Sequence, residues 1–163
     1  MSAHTDSNLR IEKQRNDAVI RLTTGETVLG KIFTSPGSLR HSGPERIGDL
    51  LNAESGFFPF EVHDATGPRT AIYNRAHIVT VMIANDEPRQ DPGYEVATSR
   101  SVSMLLSTGQ RLSGVIRIHQ PDGHNRLSDW ARSRDQFHYV ETHGQTFLVN
   151  GAHIVELSEM SER

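Results

Sequence analysis

Short apolar runs that alternate with polar residues dominate the first half of the chain. Alternation with a period of two is typical of β-strands that bury one face. Within residues 57–63, for example, Phe58, Phe60 and Val62 fall on the same face. Runs of this kind predict strands at residues 18–22, 28–33, 57–63, 71–73 and 77–83. The pattern therefore predicts a mainly β fold.

Two turn signals connect these predicted strands. Thr-Thr-Gly-Glu separates the first two runs, and Gly25 within it can take a positive φ, which predicts a tight hairpin. Asn74, Arg75 and Ala76 separate the last two runs and predict a second tight hairpin, because asparagine tolerates the left-handed turn conformation. Gly30 lies inside the second predicted strand, where glycine indicates a bend or the close approach of another backbone.

Helical sequence is short and lies outside these runs. The candidates are the N-terminal SNLRIEKQRND and two later stretches, RIGDLLNA and RLSDWARS, each suited to a short helical turn. The stretch NDEPRQDPGYE carries Pro88, Pro92 and Gly93 among charged residues. This composition predicts an exposed linker.

The second half of the chain repeats the first. The matched segments are 22–32 with 106–116, 46–63 with 126–143, and 70–81 with 146–157. The offset falls from 84 to 80 and then to 76 residues, and both changes lie in loop-like sequence. Gaps confined to loops are typical of a structural repeat, because loops tolerate changes of length. We interpret the chain as an internal duplication of one β-rich unit.

The motifs shared by the two units resemble those of the Sm-like (Lsm) family. Both carry Leu-x-x-Gly-x-x-x-x-Gly-x-Ile, which resembles that family's first motif, and NRAHIV and NGAHIV are similar to its second. The family's Arg-Gly pair is replaced by Asn74-Arg75 and by Asn150-Gly151. The resemblance implies a small barrel that assembles through its edges, and a loop that binds single-stranded RNA.

We expect two tandem five-stranded, strongly bent small barrels of Sm-like or SH3-like form, with short helical turns. Closure suits so few strands because it removes exposed sheet edges. The expected division is an N-terminal helix or tail at 1–17, a first unit at 18–83, a linker at 84–101, a second unit at 102–158 and a tail at 159–163.

Composition narrows the possible functions. The chain has 163 residues and no cysteine, which excludes disulfides, thiolate catalysis and Cys-based metal sites. A net charge of -3 argues against coating nucleic acid through bulk charge. The sequence shows no signal-peptide pattern and no apolar run near the roughly 20 residues that span a bilayer. We therefore expect a cytoplasmic protein with no membrane partner.

Candidate ligand-binding residues are those that the duplication retains in equivalent places. His77 and His153 could stack on a base, or each ring could fix its turn by bonding a backbone carbonyl, which we favour. Asn74 and Asn150 present the same choice, because asparagine caps its own turn. Arg75 belongs to this set because it stands in the arginine-glycine position of the second motif.

Two further arginines recur at the start of the short helical stretches. Arg46 and Arg126 could both face a phosphate. Each also has an aspartate three residues later, Asp49 and Asp129, which suits a local ion pair on one helical turn. We favour the local pair.

The sequence indicates the function less directly than it indicates the fold. The sequence contains no nucleophile elbow, phosphate loop or dinucleotide motif, and its nine histidines lack metal-ligand spacing, so we expect no enzyme, metal or cofactor. The leading hypothesis is a non-enzymatic assembly or binding protein that forms a homo-oligomer through barrel edges. The alternative is an Sm-like module for single-stranded RNA. A sensor of a small molecule or protein partner, using Tyr73, Tyr94 and Trp130, is a third hypothesis.

Overall fold

The computed structural model describes residues 13–38, 43–119 and 126–161, which form a mainly β protein. This confirms the predicted class. The strands are β1 (Gln14–Leu22), β2 (Thr27–Thr34), β3 (Phe57–Asp64), β4 (Gly67–Asn74), β5 (Ile78–Ile83), β6 (Thr98–Leu106), β7 (Arg111–Ile118), β8 (Phe137–Thr142), β9 (Gln145–Asn150) and β10 (Ile154–Glu159). The short helices α1 (Ile47–Ala53) and α2 (Leu127–Ala131) begin within the stretches expected to be helical.

The ten strands of the described residues form one antiparallel sheet. Their order is β10-β6-β7-β8-β9-β5-β1-β2-β3-β4. The first half therefore runs β4-β3-β2-β1-β5 and the second runs β9-β8-β7-β6-β10, which is the same order. Separate closed barrels were expected, but the structure is a single open sheet. The difference arises because β5 pairs with β9 of the other half.

One of the two predicted hairpins is present in the structure, and the other is not. β1 and β2 form the first, with Gly25 at φ 91°, as predicted. The second is wrong, because β4 pairs with β3 while β5 pairs with β1 and β9. The intervening 3-10 turn, Arg75–His77, instead carries the chain from the sheet edge at β4 to the middle of the sheet at β5.

Two predicted boundary segments also differ from expectation. β1 begins at Gln14, inside the stretch expected to be a helix or tail, and the rest of that stretch up to residue 12 lies outside the described residues. The expected linker is not exposed along its length, because Glu87, Pro88 and Tyr94 are buried and β6 begins at Thr98. The linker is ordered by contacts with both halves.

The two hydrophobic cores cross the boundary between the halves. The first is built on the predicted apolar face of β3 and also contains Phe137 and Leu148 from the second half. The second core is built around Trp130 of α2 and contains Val79 from β5. Each half therefore completes the core of the other.

Gly30 and Gly114 occupy equivalent positions where neighbouring strands come close. A Cβ at Gly30 would collide with the carbonyl oxygen of Glu61 on β3, and one at Gly114 would crowd the carbonyl oxygen of Glu141 on β8. These glycines permit the close backbone approach that the sequence predicted.

Candidate functional site

The candidate site is the junction between the two halves, where β5 meets β9. The antiparallel register pairs Thr80 with Val149, Val81 with Leu148, Met82 with Phe147, and Ile83 with Thr146. Five of the six residues of β5 are buried, as expected for a strand inside a sheet with both faces covered. We call this contact the internal junction.

Two of the predicted site residues bind the first half's turn from the second half. The Asn150 side-chain amide donates to the carbonyl oxygens of Arg75 at 3.2 Å and Ile78 at 2.9 Å. The His153 ring lies 2.8 Å from the carbonyl oxygen of Ala76 through Nε2. A carbonyl only accepts, so Nε2 is the donor in this bond. These hydrogen bonds join the two turns at one end of the junction.

The same side chains also stabilise their own turns. Asn74 and Asn150 each accept a hydrogen bond at 3.0 Å from the backbone N–H two residues later, as proposed for turn-capping asparagines. His153 is half-buried and reaches a carbonyl of the other half instead of its own. The His77 ring is exposed and contacts the Thr23 hydroxyl at 3.2 Å, which is a side-chain contact and not the favoured bond to a backbone carbonyl.

Arg75 is a buried structural residue. Its guanidinium donates to the carbonyl oxygens of Phe57 and Leu50, each at 2.9 Å, and lies over the Phe58 ring. Burial lowers the pKa of Arg75. The side chain ties α1 to β3 inside the first half, and the equivalent position in the second half is Gly151.

Arg46 and Arg126 precede the two helices and do not join the other predicted residues. Asp49 accepts from the Arg46 backbone at 2.9 Å and from its guanidinium at 3.2 Å, which is the local ion pair favoured by the sequence. In the second half, Asp129 accepts from the Arg126 backbone at 3.1 Å. These contacts fix the helix starts.

A buried carboxylate links the two halves. Glu87 accepts from the N–H groups of Ile47 at 2.6 Å and Gly48 at 3.3 Å, and from the Tyr139 hydroxyl of β8 at 2.8 Å. Burial raises the pKa of the Glu87 carboxyl, against the opposing effect of these hydrogen bonds and of nearby Arg46. Burial also raises the pKa of Tyr139. Linker, first helix and second-half strand meet at this group.

A second polar contact lies beside it. The Asn52 amide donates to the Phe137 carbonyl at 3.0 Å, and the Phe137 N–H donates to the Asn52 side-chain oxygen at 2.8 Å. α1 is thereby bonded directly to β8. We refer to the contacts of Glu87, Tyr139 and Asn52 together as the polar clamp.

The outer edges of the sheet present the counterparts of the residues buried at the internal junction. Within the described residues, β4 and β10 have a neighbouring strand on one side only. Phe57, Ile72 and Val155 are 63%, 66% and 65% exposed. The residues that align with them in the sequence, Phe137, Leu148 and Val79, are 1%, 0% and 0% exposed. Apolar positions that the internal junction covers are therefore uncovered at the edges.

Two of the three aromatic residues of the sensor hypothesis share a cavity, and the third lies elsewhere. Tyr94 and Trp130 line a cavity of about 240 Å³ between the second half, the linker and Asn52 of α1, where Tyr94 donates to Glu141 at 2.6 Å and the Trp130 ring packs on His138. Tyr73 instead packs edge-on against Phe60 in the first half. The described residues contain no group of three or more His, Asp or Glu side chains that could hold a metal.

Within the described part of the chain, no helix has the length and apolar character needed to cross a membrane. Comparison with protein-family models, curated proteins and solved structures gives no match to this chain. The internal junction is therefore the feature of the molecule that bears most on function.

Sequence reasoning missed the polar clamp. Glu87 lies in charged, proline-containing sequence that resembles a linker, and Asn52 and Tyr139 align with different residues of the other half, Arg132 and Pro59. The sequence does contain a signal for packing between the halves. Phe57 and Phe137 are both apolar, although the strand alternation places each of them on the face that points away from the core of its own half.

Proposed function

We propose that this protein is a non-enzymatic, Sm-like assembly module that associates head to tail through the two outer strands of its sheet, β4 and β10. The observation that carries the proposal is the internal junction. There, the last strand of one half pairs with the fourth strand of the other. The fourth strand of the first half and the last strand of the second half are the two strands at the sheet edges.

The two halves support this proposal by their similarity. They share strand order, the close approach at Gly30 and Gly114, and the two capped turns. We infer that they are duplicated, strongly bent units of Sm-like or SH3-like type. The strand pairing that joins the two halves could then also form between two molecules.

The two edge strands have features that favour pairing with another strand. An exposed strand edge offers unpaired N–H and C=O groups and tends to pair with another chain. β4 carries exposed Ile72, and β10 carries exposed Val155. Because the two edges differ, their contact is heterologous and either closes into a ring or continues as a filament. A ring leaves no edge strand without a partner, so we propose a ring.

RNA binding is the alternative that the resemblance suggested. Three of its candidate residues have internal roles, because Arg75, Asn150 and His153 bond backbone carbonyls. Those contacts engage the side-chain groups that recognition of a base would need. For the sensor hypothesis, Tyr94 and Trp130 line one cavity, but Tyr73 lies apart from them in the first half, so the three aromatic residues do not form a single site.

The test compares two exposed apolar residues. Ile72→Lys places a charge on the edge strand β4, where lysine opposes strand pairing. Leu29→Lys makes the same change on β2, an inner strand, at a side chain that is also exposed. Sedimentation velocity over a wide concentration range measures association of both variants and of the unmodified chain.

We expect discrete oligomers for the unmodified chain and for Leu29→Lys, and loss of those oligomers for Ile72→Lys. Circular dichroism should show the same fold for all three proteins. Monomers of the unmodified chain at every concentration, or equal association of the two variants, would contradict the proposal.

A further inference from the structure

The internal junction also specifies how two molecules would meet, provided that the proposed assembly occurs. We infer that β10 of one copy pairs with β4 of the next in the register of β5 with β9. Shifting that register by the repeat offset of 76 residues places Leu157 opposite Ile72 and Ser158 opposite Ala71. The partner of the edge is thus a defined segment of a second copy.

The register is supported by the side chains that it would cover. Phe57, Pro59 and Ile72 form an exposed apolar patch on the outer face of the β3–β4 hairpin. Their equivalents Phe137 and Leu148 pack into the first core, against α1 and β5. The residues that align with this patch therefore already pack against the other half within the same molecule.

The matching surface lies on α2 and β10. Ile47, Ile78 and Val81 contribute to the core beneath Phe137 and Leu148. The corresponding positions in the second half are Leu127, Ile154 and Leu157, which are apolar and half-exposed. The half-exposed apolar side chains of α2 and β10 on one copy would therefore pack against the exposed apolar patch of β3 and β4 on the next copy.

The contact between copies lacks the polar clamp. Pro59 stands where Tyr139 supplies its hydroxyl, and Arg132 stands where Asn52 bonds the β8 backbone. Glu159 also replaces the buried Ile83 at the end of the paired segment. Fewer hydrogen bonds and less apolar area should make this junction weaker than the internal one, so that copies exchange while each chain stays folded.

Disulfide trapping tests the register, because the chain has no cysteine of its own. The variant Ala71→Cys, Ser158→Cys places two thiols directly opposite each other across neighbouring copies, within the Cα spacing that a disulfide needs. The control Ala71→Cys, Glu159→Cys shifts one thiol by a residue, which moves it to the other face of the sheet. Mild oxidation is followed by denaturing electrophoresis without reductant.

We expect a shift from monomers to linked dimers and larger species for the first variant, and monomers for the control. Mixing differently tagged chains before oxidation should give mixed dimers, since weakly joined copies exchange. Oligomers by sedimentation with no linked species, or with equal linkage in both variants, would overturn the register while leaving assembly standing. Linked species without mixed dimers would overturn exchange. Monomers by sedimentation would instead remove the proposed function.

Discussion

The internal junction and the edges of the sheet are built from equivalent residues in opposite surroundings. Phe137 and Leu148 lie in the first core, whereas Phe57 and Ile72 face solvent. Asn150 bonds two carbonyls across the junction, whereas its counterpart Asn74 caps its own turn. The comparison teaches that the stability contributed by an aligned residue here depends on the neighbour that covers it, because phenylalanine stands at both 57 and 137 and asparagine at both 74 and 150.

The largest expected effect comes from the two equivalent phenylalanines. Phe137→Ala should lower the free energy of unfolding by about 3–5 kcal/mol, because it removes a buried ring from the core. Phe57→Ala should change it by about 0.5 kcal/mol or less, since the ring is exposed. Urea unfolding followed by Trp130, the sole tryptophan, measures both.

Protein concentration must be low enough to keep the chains monomeric, because association would add stability to the edge residue. If Phe137→Ala and Phe57→Ala lower the free energy of unfolding equally under those conditions, the internal junction does not bury Phe137 as the structure indicates.

The asparagine pair should show a smaller difference. Asn150→Ala leaves the carbonyls of Arg75 and Ile78 without that donor and removes the turn cap, so a loss of about 1–3 kcal/mol is expected. Asn74→Ala removes the corresponding cap from the Ala76 N–H and should cost about 0.5–1.5 kcal/mol. The same unfolding experiment ranks them, and a larger loss for Asn74→Ala would reverse the comparison.

The smallest effect concerns the pH dependence set by Glu87. Burial raises the pKa of this carboxyl in the folded protein, so folded chains hold its proton more tightly than unfolded chains do. As pH rises from the unfolded pKa of about 4.3 towards the raised folded value, the unfolded state loses its proton first and stability falls. Glutamine does not titrate, so Glu87→Gln should gain stability relative to the unmodified chain across that interval.

Urea unfolding of both proteins from about pH 4 to about pH 7 covers the start of the interval. Glu95→Gln is the matched control, because it makes the same substitution at an exposed side chain of the same linker. A difference curve for Glu87→Gln that stays flat over this interval would show that its carboxyl has the same pKa in the folded and unfolded states.

Much of the local structure could be predicted from the sequence. Phe58, Phe60 and Val62 alternate because β3 buries one face, and Gly25 marks its turn because the backbone there needs a positive φ. The asparagine caps were also predictable, since Asn74 and Asn150 bond groups only two residues away. Local geometry determines all of these features.

The pairing of β5 with β9 could not be predicted in the same way. Strand alternation gives the buried face of a strand but does not identify its neighbour, and a turn such as Arg75–His77 is compatible with a hairpin or a crossing to another strand. The buried linker was missed because Glu87 and Pro88 are residues typical of exposed loops. The burial of Glu87 depends on partners 40 and 52 residues away in sequence.

The shared core has a consequence for the chain as it leaves the ribosome. The first half is complete in sequence at Ile83, but its core still lacks Phe137 and Leu148. Synthesis at about 5–20 residues per second would add those residues only several seconds later. During that interval β5 has no β9 beside it, and its apolar residues are open to the wrong partner. The nascent first half is therefore the species in which we expect misfolding and chaperone binding to concentrate.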